Sequence, residues 1–108
     1  MSRARLSSER LEDMIAFVTR GWIFTDEKYP ELKGKNHQER RIWCLRHILE
    51  HQMKALGNLA AVVEACEHGG NLQEPRVKEL TAKMLRNTLR ISELMTMSAD
   101  ELLAELMR

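Results

Sequence analysis

Four basic residues, Arg76, Lys83, Arg86 and Arg90, recur along one side of a predicted helix. Cations at that spacing suit phosphate, on a nucleotide or a nucleic acid. Arg86 and Arg90 are like charges four residues apart, which is costly unless an anion or an acidic neighbour such as Glu79 or Glu93 answers them. The plainer reading is a solvated face with local ion pairs. A second cluster, Arg40, Arg41 and Arg46, is open to the same two readings. Cys44, His47 and His51 stand at i, i+3 and i+7, so one helix face offers a thiol and two imidazoles. Such ligands could bind Zn²⁺ with Glu50 or another subunit completing the set. Against zinc stand the lack of any Cys-x-x-Cys or His-Glu-x-x-His pattern and the alternative of two solvent-facing histidines beside a half-buried cysteine. Glu64 and Glu67 form an acidic i, i+3 pair near a helix end, where the macrodipole disfavours carboxylates. A solvated surface pair is the simple explanation. Trp22, Phe24, Tyr29 and Trp43 flank a polar loop, either packing it against the helices or walling a base-stacking site. No Gly-rich phosphate loop is present, and no Ser/His/Asp or Cys/His nucleophile arrangement can be assembled.

The elements that must position these residues are helices. The chain has 108 residues, which is one domain. Leu, Ala, Met, Glu, Lys and Arg dominate, with two prolines and five glycines. Net charge is +1, so no global field draws in nucleic acid or an anionic membrane. With five aromatics besides, nucleic acid is an improbable partner. No apolar run reaches the roughly 18 residues of a membrane span, and the N-terminus lacks a signal-type core. A cytoplasmic protein with reduced thiols is expected. Cys44 and Cys66, 22 positions apart on one helix, would lie about 33 Å apart, far outside disulfide reach. Both are predicted to be buried thiols.

Met1 to Leu6 is basic and predicted to be flexible. A first helix over about residues 8–20 is capped by Ser7 or Ser8, buries Leu11, Met14, Ile15, Val18 and Trp22, and stops at Gly21. After a polar loop, Asn36 and Glu39 read as a capping box opening a long helix, about residues 37–68. Its predicted inner stripe is Ile42, Leu45, Leu49, Gln52, Leu56, Leu59, Val63 and Cys66, a heptad seam interrupted by Gln52 and widened by Ile48, Ala55 and Val62. Gly69-Gly70 ends it. Glu74-Pro75 opens a third helix to about residue 95, with Val77, Leu80, Met84, Thr88, Ile91 and Leu94 inward. Ser98 and Glu101 cap a short fourth, about residues 98–107, carrying Leu102, Leu103 and Leu106. A 32-residue helix would run about 48 Å, too long for a compact domain of this size. It is therefore bent near Gly57 or projects into a partner. The predicted fold is all-α, a four-helix bundle with its two long central helices antiparallel, completed as a homodimer or higher homo-oligomer.

This order of elements resembles the all-α nucleoside triphosphate pyrophosphohydrolases of the MazG type. Arg20-Gly21-Trp22 matches the end of that family's first helix. Ala55-Leu56-Gly57-Asn58-Leu59-Ala60 matches its Glu-Glu-x-Gly-Glu-Leu-Ala-Glu core, and Gly69-Gly70 its turn. The helix with Lys78-Glu79-Leu80 matches the family's Glu-x-x-Asp helix, and Met97-Ser98-Ala99-Asp100-Glu101 its short last helix. The resemblance covers nearly the whole chain and implies a Mg²⁺-dependent activity resting on two acidic pairs. Here the first pair falls on Ala55 and Asn58. The second falls on Glu79 and Ala82, or on Leu80 and Lys83. The departures imply a degenerate member with no catalytic residues and no cofactor, acting by binding a protein or a nucleotide. Two alternatives stand beside it. One is an active pyrophosphohydrolase holding Mg²⁺ on a displaced set, Glu64, Glu67 and Glu79. The other is an unrelated helical adaptor or zinc-binding regulator.

Overall fold

The computed structural model describes residues 3–108, with side chains from Ser8 onward. Helix α1 spans Arg3–Gly21, α2 His37–Glu67, α3 Glu74–Leu94 and α4 Ala99–Leu106, with a single 3₁₀ turn at Pro30–Leu32. No strand occurs among the described residues. The flexible start expected for Met1 to Leu6 lies outside the described residues at Met1 and Ser2. From Arg3 onward the chain is helical, so neither Ser7 nor Ser8 caps α1. The Ser8 hydroxyl instead donates to Asp100 Oδ1 at 2.6 Å, tying α1 to α4.

Both capping boxes form. Asn36 Oδ1 accepts from the Glu39 amide, and Glu39 Oε1 accepts from the Asn36 amide, each at 2.9 Å. Ser98 and Glu101 repeat the exchange at α4. Helix α2 ends as Gly69-Gly70 implies. The Gly69 amide donates to Cys66 O and the Gly70 amide to Ala65 O, with Gly69 left-handed at φ 96°. A Cβ on Gly70 would meet Ala65 O at 2.8 Å, so no side chain fits there. Helix α3 ends through the same pair of bonds, from Thr96 to Glu93 O and from Met97 to Ser92 O, but here a threonine takes the left-handed site at φ 53°.

Helices α2 and α3 pack antiparallel: Arg41 donates to Leu94 O near one end, and Gln52 to Met84 O further along. Helix α1 packs on α3 and α4 rather than along α2. The arrangement is open, with a radius of gyration of 16.8 Å against about 13 Å for a compact domain of 100 residues. Helix α2 runs through Gly57 without interruption over its 31 residues.

That layout corrects the predicted inner stripe of α2. Ile48 and Ala55 are buried, at 0% and 5% exposure, while Ile42, Leu49, Leu56 and Val63 stay 59%, 44%, 58% and 47% exposed. Leu45, Gln52, Leu59 and Cys66 are half-buried between the two rows. One neighbour covers one flank of a helix, and α3 lies over the row that was expected only to widen the stripe. The expectation of two buried thiols holds for Cys44 alone. Leu106 on α4 and Met14 on α1, expected inward, are exposed.

The α2–α3 seam contains a polar knot. Gln52 Nε2 donates to Met84 O and Thr88 Oγ1, both at 3.2 Å, and Gln52 Oε1 accepts from Asn87 Nδ2 at 2.9 Å. Asn87 is 1% exposed. Gln52 is thus a cross-helix anchor, and no buried side-chain polar atom among the described residues lacks a partner. A satisfied knot of this kind fixes one register, because sliding either helix would strand its donors.

Candidate functional site

Beyond Gly21 the chain leaves α1 and turns Trp22 inward, to 8% exposure. Three interactions hold it. Trp22 Nε1 donates to the Tyr29 hydroxyl at 3.0 Å, Arg90 Nε donates to the Trp22 carbonyl at 2.8 Å, and the Arg86 guanidinium lies 5.3 Å over the indole ring. Arg40 pins the following loop by binding Asp26 Oδ1 at 2.6 Å and Leu32 O at 3.2 Å. The loop is less polar in its packing than its composition suggests, since Leu32 is fully buried.

Around Trp22 the rings form one continuous cluster. Phe24 lies 5.6 Å from Trp22 and 5.1 Å from Tyr29; Trp43 stacks on His47 at 5.0 Å; His47 meets His51 at 4.9 Å; and His51 approaches Trp22 edge-on at 5.0 Å. The i, i+4 spacing of Trp43, His47 and His51 on α2 places the three rings in a column. His51 is less basic than an ordinary imidazole. Desolvation is the main cause, followed by the charges of His47, Arg86 and Lys54, with Glu50 opposing.

This cluster is the end wall of a groove of about 850 Å³ between α1 and α3, within the size range of small-molecule sites. Met14, Phe17, Leu85 and Leu89 supply apolar surface. Trp22, Tyr29 and His51 supply rings. Arg20, Lys28 and Arg86 bring three cations, against one acid, Asp13. The arrangement suits a ligand with a flat apolar part and negative charge: rings and Arg86 can stack on the first, and the cations can answer the second.

The residues singled out by spacing distribute differently from the single strip expected on α3. Arg76 and Lys83 both ion-pair with Glu79, so these three satisfy one another. Arg86 turns into the groove. Arg90 is 7% exposed, holds the Trp22 carbonyl and sits 5.0 Å over Phe24, so it supports the site from beneath and does not line the groove. Arg40, Arg41 and Arg46 also separate, to Asp26, to Leu94 O and to Glu50.

Among the described residues no three His, Cys, Asp or Glu side chains come together as a metal site. Cys44, His47 and His51 do not converge: Cys44 is buried near Arg90 and Arg40, and the two imidazoles join the aromatic column. Burial pushes the Cys44 thiol up, and those two arginines only partly offset it. Glu64 and Glu67 stay exposed at the end of α2 and form no metal-holding group with Glu79, which pairs with Arg76. Asp13, Phe17 and Arg20, which also line the groove, carry no motif in the sequence. They form a second stripe on α1, at i, i+4 and i+7, which the face of Ile15 and Trp22 outranks in hydrophobicity. Comparison with known protein families, characterised proteins and solved structures finds no match for this chain.

Proposed function

We propose that this chain is a non-catalytic, MazG-like helical protein that binds a small anionic ligand with a flat ring, of the nucleotide class, in the α1–α3 groove. The observation that carries the reading is Arg86 lying over Trp22 in a groove that also presents Arg20 and Lys28. A flat ring can stack on the rings and the Arg86 guanidinium that line the groove, and phosphate can meet Arg20 and Lys28.

The MazG-like part of the reading rests on element order: a first helix ending in Arg20-Gly21-Trp22, a long helix carrying Gly57-Asn58-Leu59-Ala60, a glycine turn, a third helix and a short capped fourth. The non-catalytic part rests on the positions matching the family's acids. Ala55 and Leu80 are buried apolar side chains at 5% and 1% exposure, and Glu79 is held by Arg76 and Lys83. Mg²⁺ needs several oxygen ligands in near-octahedral array, and this seam supplies none at Ala55 or Leu80. The displaced-site alternative would have to free Glu79 from two cations and bring Glu64 and Glu67 to it.

Calorimetric titration with ribo- and deoxyribonucleoside triphosphates tests the proposal. Binding is expected in the wild type, abolished in Arg86→Glu and retained in Arg76→Glu. Absence of binding by the wild type, or equal loss in the two variants, would overturn it. Capture of a protein helix by the groove without nucleotide binding would do the same.

A further inference from the structure

Arg90 spends only part of its hydrogen-bonding capacity inside the protein. Its Nε reaches the Trp22 carbonyl, and among the described residues Nη1 and Nη2 have no hydrogen-bond or ion-pair partner. These nitrogens are not sealed in, since no buried side-chain polar atom lacks a partner. The guanidinium lines a second cavity, of about 340 Å³, where the start of α2 meets the end of α3. His37, Arg41, Glu93, Leu94 and Thr96 complete the lining. Half-buried Arg41 donates through Nε to Leu94 O at 3.3 Å and through Nη2 to Met95 Sδ at 3.7 Å, so it too meets no carboxylate. Glu93 follows Arg90 by three positions, a spacing at which opposite charges on a helix readily pair. Burial lowers the Arg90 pKa, and the Glu93 charge is the first to oppose it, yet the two side chains form no ion pair. Among the described residues Glu93 has no other ion-pair partner either.

The cavity thus gathers two guanidiniums and a carboxylate whose charges are not spent on one another. We propose that it binds the head group of a free α-amino acid, whose carboxylate accepts from Arg90 and Arg41 and whose ammonium donates to Glu93. A carboxylate matches the forked N–H groups of a guanidinium. His37 opens α2, so the positive end of that helix lies at the cavity and favours the same carboxylate. Glu93 decides the class of ligand. Inorganic phosphate or a simple carboxylic acid would answer the arginines but set a like charge against Glu93, whereas a zwitterion answers both signs. Size points the same way. The cavity has less than half the volume of the α1–α3 groove and lies at the small end of ligand sites, which suits a head group with a short side chain. Leu94 is the one aliphatic side chain in the lining, so recognition rests on the head group. The cavity shares none of its lining with the groove, and its ligand does not depend on what the groove binds.

Calorimetric titration of the full chain with a panel of free L-amino acids is the test, beside probes that each remove part of the match: the amino acid amide, the N-acetylated amino acid and inorganic phosphate. The wild type is expected to bind at least one small amino acid saturably, and its amide and N-acetyl forms about tenfold more weakly. Glu93→Gln, at an exposed position, is expected to keep the fold, to lose about tenfold in affinity for the amino acid, and to bind the N-acetyl form as well as the parent. Arg41→Gln is expected to weaken both forms with helical circular dichroism unchanged. Arg86→Glu, which addresses the groove, should leave amino acid binding intact. A wild type that binds no amino acid, binds the N-acetyl form equally well, or binds phosphate more tightly than any amino acid would overturn the proposal. Unchanged affinity in Glu93→Gln would overturn it as well.

Discussion

Arg90 donates its Nε proton to the carbonyl of Trp22 across 2.8 Å, joining positions 68 residues apart. The contact sets the chain's exit from α1 against the middle of the molecule. It also places a buried cation over Phe24 at 5.0 Å, and desolvation pushes the guanidinium pKa down. The indole that forms the groove's end wall is therefore held by a residue that never reaches the groove.

Arg90→Ala is expected to destabilise the protein by about 2–4 kcal/mol, because it strands a buried carbonyl and removes a charge-assisted bond and a ring contact. Arg90→Lys should recover less than half of this, since an ammonium cannot both reach the carbonyl and lie flat on Phe24. Urea unfolding measures the size. Blue-shifted Trp22 emission lost in the folded Ala variant would show that the indole has moved.

Gln52 and Asn87 should behave as a unit. Gln52→Leu or Asn87→Leu alone leaves a polar partner buried in the α2–α3 seam, at about 1–3 kcal/mol. The double variant should lose much less than the sum of the two, with a favourable coupling of at least about 1 kcal/mol. Additive losses in a double-mutant cycle would contradict a satisfied knot.

Thr96 occupies the left-handed position that closes α3, a site where a β-branched residue is strained. Thr96→Gly is expected to raise stability by about 0.5–1 kcal/mol despite its added freedom in the unfolded chain. A fall in thermal midpoint would argue against this turn.

His51 titrates below its ordinary value of 6.5 in the folded chain. The unfolded state then binds the proton more readily, so stability is full above about pH 6.5 and declines as pH falls toward the folded value. His51→Gln should flatten that decline. An anionic ligand in the groove should raise the His51 pKa, readable from imidazole proton shifts with and without nucleotide.

Local features were legible because their determinants sit within a few residues. Asn36 with Glu39 and Ser98 with Glu101 are short-range exchanges, and they form where the spacing put them. The burial of α2 was not legible in the same way. Two apolar rows, one through Ile42 and Leu49 and one through Ile48 and Ala55, are nearly equivalent by composition, and only the position of α3 decides between them. Gln52 looked like an interruption because its partners, Met84, Asn87 and Thr88, are more than thirty positions away. The groove suffered most. Arg86 and Arg90 look alike four residues apart, yet one faces the groove and the other lies buried beneath it.

Binding in the α1–α3 groove without turnover is open to one decisive test. The most direct measurement is a Trp43→Phe protein titrated with nucleoside triphosphates and Mg²⁺, following Trp22 emission and pyrophosphate release in the same samples. Saturable quenching of Trp22 with no pyrophosphate above a protein-free control is expected. Metal-dependent release that vanishes in a Glu64→Ala, Glu67→Ala variant, or nucleotide addition that leaves Trp22 unchanged, would contradict it.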